Sequence, residues 1–342
     1  MLTQTKNTLF SLLTVMLLSM TSLLCTDVNA QDYWHKEREK AKALATTDSL
    51  RRGIGFLTDT ICEGRATGTP GAHEAAAWIS REFEKAGLMK FGNSWIKSFH
   101  IRHDLKGQNV IGFLAGSKSI PCDRYIIVGA HYDHLGIIDG KFYPGADANA
   151  SGTVAMTSLA RMYGLMRKMG KILGSNIIFV GFDAREHDFK GSQSLWNTID
   201  FKALTDPVTK KKITKDKITL MVNIDQIGST LAPIRPEMPE YLLMLGTPSL
   251  KKADRDHLKR TNLETGICLD ICLDYYGSAN FTKVFYRLSD QRVFVDNRIP
   301  AVMFTSGITM NNNKTWDNLE SLNLDILHKR ICLIFHWLEK ML

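Results

Sequence analysis

The chain has 342 residues, 44% of them hydrophobic, enough to bury a large core in one or two domains. Its net charge of +8 is modest, and much of it comes from one run, Lys210, Lys211, Lys212, Lys215 and Lys217, with no aromatic residues interleaved. That pattern fits a solvated loop and argues against a nucleic-acid partner, while six cysteines without two Cys-x-x-Cys units argue against a structural zinc knuckle.

Residues 1–30 carry Lys6, an apolar run from Leu9 to Leu24 and the small-residue site Val28-Asn29-Ala30, which together read as a cleaved export signal. The expectation is an exported protein, periplasmic or secreted, with no stable membrane span after cleavage. Leu24 is bulky for lipoprotein processing at Cys25. Cys62, Cys122, Cys268, Cys272 and Cys332 then remain, an odd number and too few for a disulfide framework. Cys268 and Cys272 either pair or stay free.

Residues 31–342 are expected to form a single domain. Residues 32–60 read as helical, with Leu44, Leu50, Ile54 and Leu57 among charges. A turn-rich loop, Cys62 to Gly71, precedes a helix marked by Ala75, Ala76, Ile79, Phe83 and Leu88, with Gly87 as its stop. Asn109–Leu114 and Tyr125–Ala130 read as strands. Ser151–Gly170 reads as an amphipathic helix with Ser151 as N-cap. Asn176–Phe182, Leu220–Ile224 and Ala301–Phe304 read as strands, and Leu324–Met341 as the last helix. This alternation predicts a three-layer α/β/α sandwich around a mostly parallel, mixed central sheet. Residues 229–300 break the alternation with Pro233, Pro236, Pro239 and an aromatic cluster, and read as either a lid or a surface insertion.

Polar residues follow several of the buried strands. His131 follows the first, Arg185, Glu186, His187 and Asp188 another, Asp225 a third, and Asn311, Asn312, Asn313 and Lys314 the last. In a doubly wound sheet such ends converge on one crevice. Imidazole with carboxylates is a zinc-type ligand set, and Asp133 stands two residues from His131, where it would fix the tautomer of the ring.

Several of these segments resemble a known family, the two-zinc exopeptidases of the bacterial leucyl aminopeptidase type, related to glutamate carboxypeptidase and glutaminyl cyclase. They are EGRATGTPG, GAHYDHLG, GADANASGT, REHDFKGS, NIDQIG, and IPAVMF followed by KTWDNLESLN. The resemblance implies that one zinc takes His131 and Asp225, and the other takes Glu186 and a histidine. It also implies a bridging aspartate and a general-base glutamate. The bridging position holds Ala148, with Asp147 one residue early. The histidine position falls on Asn313 or Lys314, and the base position holds Arg185. An arginine cannot accept a proton, so no catalytic set is intact.

The resulting expectation is an exported homologue with a depleted metal site, holding no zinc or at most one, weakly bound. His131, Glu186 and Asp225 are its remnant ligands, and Arg185 and Lys314 bring cations to the pocket with Asp147. Such a pocket binds a peptide or an amino acid without two-zinc hydrolysis. The alternative is a weakly active aminopeptidase with one zinc on His131, Asp225 and Glu186 and with His134 or His187 as base. Different chemistry in the same pocket is a third reading, but the cyclase-type metal set also needs the positions of Ala148 and Asn313 or Lys314.

Overall fold

The computed structural model describes residues 31–117, 120 and 122–342, so the export signal read at residues 1–30 lies outside the described residues. Contacts group the chain into two units, Met1–Ala43 and Leu44–Leu342. In the first, residues 31–42 form helix α1, laced by Lys36–Asp32 at 3.1 Å and Lys42–Glu39 at 2.6 Å, side-chain pairs one helical turn apart.

In the second unit, α2 (Thr47–Thr58) begins where the Thr46 hydroxyl accepts the Ser49 N–H at 3.3 Å. The continuous helix expected over residues 32–60 is therefore interrupted, because an extended, capping threonine ends one segment and starts another. α3 (Pro70–Lys85) starts with Pro70 in its first turn, is capped by Thr69, and buries Ala75, Ala76, Ile79 and Phe83. The strands β1 (Met89–Lys90), β2 (Ile96–Arg102), β3 (Leu105–Leu114) and β4 (Tyr125–His131) follow. The hairpin β5 (Gly136–Ile138) and β6 (Lys141–Tyr143) leads to α4 (Gly152–Lys168), β7 (Asn176–Phe182), α5 (Lys190–Asp200) and β8 (Ile218–Ile224). Beyond these come β9 (Tyr241–Leu245), α6 (Lys252–Arg255), α7 (His257–Glu264), β10 (Asp270–Cys272), α8 (Ala279–Phe285), α9 (Gln291–Asp296), β11 (Ala301–Thr305) and α10 (Leu324–Met341).

Nine strands form the main sheet in the order β1-β3-β7-β4-β8-β11-β9-β10, with β2 also on β3. β7, β4, β8 and β11 run parallel, whereas β3 and β9 are antiparallel to their neighbours β7 and β11, making the sheet mixed. Every residue of β4 and β7 is buried, as central parallel strands covered on both faces require. On one face Ile127, Ile178, Val180 and Phe182 pack with Leu195 and Trp196 of α5 and Phe294 of α9. On the other, Phe83 of α3 meets Phe179 at 6.4 Å between ring centroids, and Trp337 of α10 meets Phe304 at 5.1 Å. The architecture is the expected three-layer α/β/α sandwich.

Two local expectations differ from the structure. Ser151 does not cap α4: its backbone is already helical and its hydroxyl donates to the Asp147 carbonyl, while the Asn149 side chain accepts the Gly152 N–H at 3.0 Å. Residues 229–300 supply β9 and β10, extending the sheet, and these strands had no counterpart in the sequence reading. Among the described residues Cys62, Cys122, Cys268 and Cys272 form no disulfide, and Cys268 is exposed. Lys210, Lys211, Lys212 and Lys215 are solvated.

The helices α3 and α4 approach so closely that a Cβ at Gly164 would overlap the Ala86 carbonyl oxygen. Gly164→Ala is expected to lower stability by about 1–3 kcal/mol through overpacking. The urea midpoint measures it, and an unchanged midpoint would mean the two helices can separate freely there.

Candidate functional site

The carboxyl ends of β7, β4 and β8, three neighbouring strands, carry Asp183, His131 and Asp225 respectively, all almost fully buried. His131 is the last residue of β4. Its carbonyl accepts from Thr153 Oγ1 at 2.9 Å and from Asn149 Nδ2 at 3.3 Å, which ties the strand end to the start of α4. Its Nε2 stands 3.4 Å from Asp225 Oδ1. Its Nδ1 is 3.1 Å from the Asp133 carbonyl oxygen and 3.6 Å from the nearer Asp133 carboxylate oxygen. The ring is therefore oriented mainly by the Asp133 main chain. The Asp133 carboxylate instead accepts the Glu186 N–H at 3.0 Å, which positions the loop after β7.

Burial opposes charge on His131, but Asp225 and Asp133 outweigh it and hold the imidazole well above its ordinary range. Asp225, despite its own burial, is held below the carboxylate range by His131 and Arg185. Each group of this buried pair thus favours the charged form of the other. His134 is different: burial, with Arg65, His131 and Arg185 nearby, keeps it neutral, and neither ring nitrogen has a hydrogen-bond partner.

Arg185 lies over this group. Its Nη1 donates to Glu186 Oε1 at 2.7 Å and its Nη2 to the Leu288 carbonyl at 3.2 Å, while Asp225, Glu186 and Asp133 favour its charge. The Arg185 and Glu186 side chains are 23% and 24% exposed, so the pair forms the solvent-facing side of an otherwise buried cluster. Its Nε is buried without a partner.

Asp147 and Lys314 are placed elsewhere. Asp147 Oδ1 accepts the Gly228 N–H at 2.7 Å and faces the Ser151 hydroxyl at 3.2 Å, while Oδ2 is buried without a partner. Burial and the nearby Asp317 raise its pKa to about 7. Ala148 is buried beside it, and the Ala148–Asn149 peptide is cis. Asn313 and Lys314 are exposed and line an open hollow of about 490 Å³ with Lys141, Phe142, Tyr143 and Trp316. Among the described residues, no three His, Cys, Asp or Glu side chains are disposed to hold a metal ion.

Several polar residues of the site escaped the sequence reading. Asp290, fully buried, has both carboxylate oxygens without a partner and lies in the electrostatic field of His131, Asp133 and Asp225. Beside it, Asn223 donates to Ser289 Oγ and Gln291 Oε1, both at 2.8 Å. Asp290 follows no strand, so nothing in its local pattern marked it. Asp183 could have been found, since it directly follows β7. It accepts from Thr67 Oγ1 at 2.8 Å and from the Gln108 N–H at 2.7 Å. Asp317 and Arg65 lie inside the quoted motifs. Asp317 accepts the N–H groups of Asp147 and Ala148 at 2.9 and 3.1 Å. Arg65 donates to the carbonyls of Tyr132, Leu57, Pro144 and Gly145.

Residues 109–337 match the model of peptidase family M28. Leucine aminopeptidase 1 of Sclerotinia sclerotiorum is 24% identical over 254 residues, 70% of this chain and 59% of that protein. YfbL of Escherichia coli, an uncharacterised protein, is 24% identical over 193 residues, 54% of this chain and 50% of its own length. The chain thus spans between half and three fifths of these curated relatives. Among solved structures, the LapA aminopeptidase of Legionella pneumophila superposes with a TM-score of 0.65 at 18% identity, covering 89% of this chain and 74% of that one. The glutaminyl cyclase of Porphyromonas gingivalis superposes with a TM-score of 0.62 at 17% identity, covering 87% and 99%. These structures share the fold.

Burial raises the Asp290 pKa from 3.8 to about 7, with His131 opposing and Asp133 and Asp225 adding to the rise. Between those values the folded protein holds a proton that the unfolded chain has released, so stability falls as pH rises through that window. Asp290→Asn should therefore gain about 1–4 kcal/mol over the parent at pH 8, a difference that disappears by about pH 4. Urea titrations at both pH values measure it. Parallel pH profiles would show that this carboxyl is not held protonated.

Proposed function

The chain belongs to peptidase family M28, and from that premise we propose that its site binds a peptide or a free amino acid without a two-zinc hydrolytic centre. One observation carries the reading: the Glu186 carboxylate is engaged by Arg185 at 2.7 Å. In the zinc-dependent family this carboxylate would serve a metal. The residues present do not fit a pair of zinc ions. Ala148 offers a methyl group where a bridging carboxylate is needed, Asn313 and Lys314 offer no imidazole, and Asp147 is turned to Gly228. No hydrolytic step is therefore derived through metal.

What the site's own groups can do is recognise a zwitterion. The half-open Glu186 carboxylate suits an ammonium group, and the solvent-facing side of the Arg185 guanidinium suits a carboxylate or peptide carbonyl. The buried Asp225 and Asp133 keep the guanidinium charged and in place. On the pattern of residues 1–30, the protein acts outside the cytoplasm.

A second reading keeps one weakly held zinc on His131, Asp225 and Glu186, with His134 or His187 as base. The 3.4 Å approach of His131 Nε2 to Asp225 favours it. It requires the Arg185–Glu186 pair to open.

Metal analysis, hydrolysis of aminoacyl p-nitroanilides and calorimetric titration with Leu-Gly-Gly separate the two. The expected result is less than one zinc per chain, no zinc-dependent cleavage, and peptide binding that Arg185→Ala weakens. One zinc per chain with cleavage lost in Glu186→Gln would establish the second reading. Two zinc ions with robust cleavage would overturn both.

Restoring the chemistry gives a sharper check. Arg185→Glu alone should leave hydrolysis at background, although a general base is worth about 10²–10⁴-fold in an intact site. Arg185→Glu with Ala148→Asp and with Asn313→His or Lys314→His should bring both zinc and activity. Activity in the single variant would show that the bridging carboxylate is dispensable.

A further inference from the structure

A second cavity, of about 1080 Å³, lies at the other end of the sheet. Its wall includes Leu114, which pairs with Ile177 near the start of β7, and Ala115 just after it. His131 and Phe182 mark the opposite strand ends, five residues on from Ile177, or about 17 Å at the usual rise. The volume is at the upper limit of the roughly 300–1,000 Å³ of small-molecule sites.

Its lining has two characters. Trp78, Phe113, Leu114 and Leu165 give it an apolar floor. Arg52, Lys85, Arg161, Arg167 and Lys168 surround that floor, against the single carboxylate of Glu82. Glu82 is already neutralised, with Lys85 Nζ at 2.7 Å and Arg161 Nη1 at 3.5 Å. Arg52, Arg167 and Lys168 have no carboxylate partner among the described residues. Arg167 matters most, because it is only 7% exposed and its guanidinium contacts are the neutral carbonyls of Ala115 and Lys171. A buried cation without a counter-charge is costly, and an anion entering the cavity would remove that cost.

We infer that this cavity binds a small amphipathic anion, a carboxylate on an aliphatic tail, with the head among Arg167, Arg52 and Lys168 and the tail on the Trp78–Leu165 floor. The apolar floor excludes a bare inorganic anion as the best ligand, and the cationic rim excludes a neutral hydrocarbon. The site is separate from the His131–Asp225 cluster and does not depend on what that cluster does.

The test uses the purified full chain with three probes: octanoate, 1-octanol and inorganic phosphate. Octanoate should alter tryptophan fluorescence, and Trp78→Phe should abolish that change. Octanol and phosphate should each bind at least tenfold more weakly. Arg52 and Lys168 are exposed, so the double reversal Arg52→Glu/Lys168→Glu should fold, and it should weaken octanoate at least tenfold while leaving octanol unaffected. If that variant does not fold, the comparison of probes on the parent and on Trp78→Phe still decides. Equal binding of octanol would make the cavity merely apolar, equal binding of phosphate would make it merely cationic, and no binding of octanoate would leave no site. Each of these overturns the inference.

Discussion

The guanidinium of Arg65 is fully buried, with its donors spent on main-chain carbonyls from three separate segments: Leu57, Tyr132, and Pro144 with Gly145. Burial lowers its pKa to about 10, so it stays charged at neutral pH. A buried carbonyl left unpaired costs about 1–3 kcal/mol, so removing this side chain would strand several at once. The loops around His131 and Asp147 have little regular structure to satisfy their backbone. Arg65 does so in place of a strand partner, and arginine suits the task because its planar fork reaches several acceptors from one centre.

The same logic recurs around the site. Arg330, also fully buried, donates to the carbonyls of Tyr241, Ile227 and Ser229, holding the chain beyond β8. Asn149 accepts from Gly152 and Gln226 and donates to Ile224, sewing the start of α4 to the end of β8. Asp317 holds the Asp147–Ala148 backbone from the far side. The frame thus rests on side chains other than those that face the cluster. That separation would let residues facing the cluster, Arg185 among them, change without loss of the fold. Fold and chemistry are held by different atoms.

Residues 229–300 serve both. β9 packs Tyr241, Leu243 and Leu245 against Met303 of β11, with Tyr275 and Phe285 on the same side. The segment that follows α8 then returns to the centre of the molecule. There Leu288 accepts from Arg185, Ser289 and Gln291 accept from Asn223, and Asp290 is buried within the field of His131. The stretch therefore extends the sheet and supplies one wall of the site.

Much of the fold was legible in the sequence. β4 and β7 are continuous apolar runs whose lengths match the structure to within a residue, because a strand covered on both faces admits nothing else. α10 was equally plain from its 3.6-residue period. The polar residues at strand ends, His131, Glu186 and Asp225, could be placed on one side of the sheet because parallel strands all end there. The edge strands β1, β2 and β10 were not legible, since short or half-exposed strands carry no distinctive pattern, and the buried apolar run of β9 stood inside the stretch that breaks the alternation. Glu186, Asp225 and Asp147 were all readable as partners of Arg185, of which the structure selects Glu186, but the burial of Asp290 and the lack of a counter-charge at Arg167 could not be read at all. Each depends on which loop from a distant part of the chain lies alongside, and local sequence encodes the loop's composition but not its neighbour. Sequence determined which residues stand at the strand ends; only the tertiary packing decided which charges face each other there.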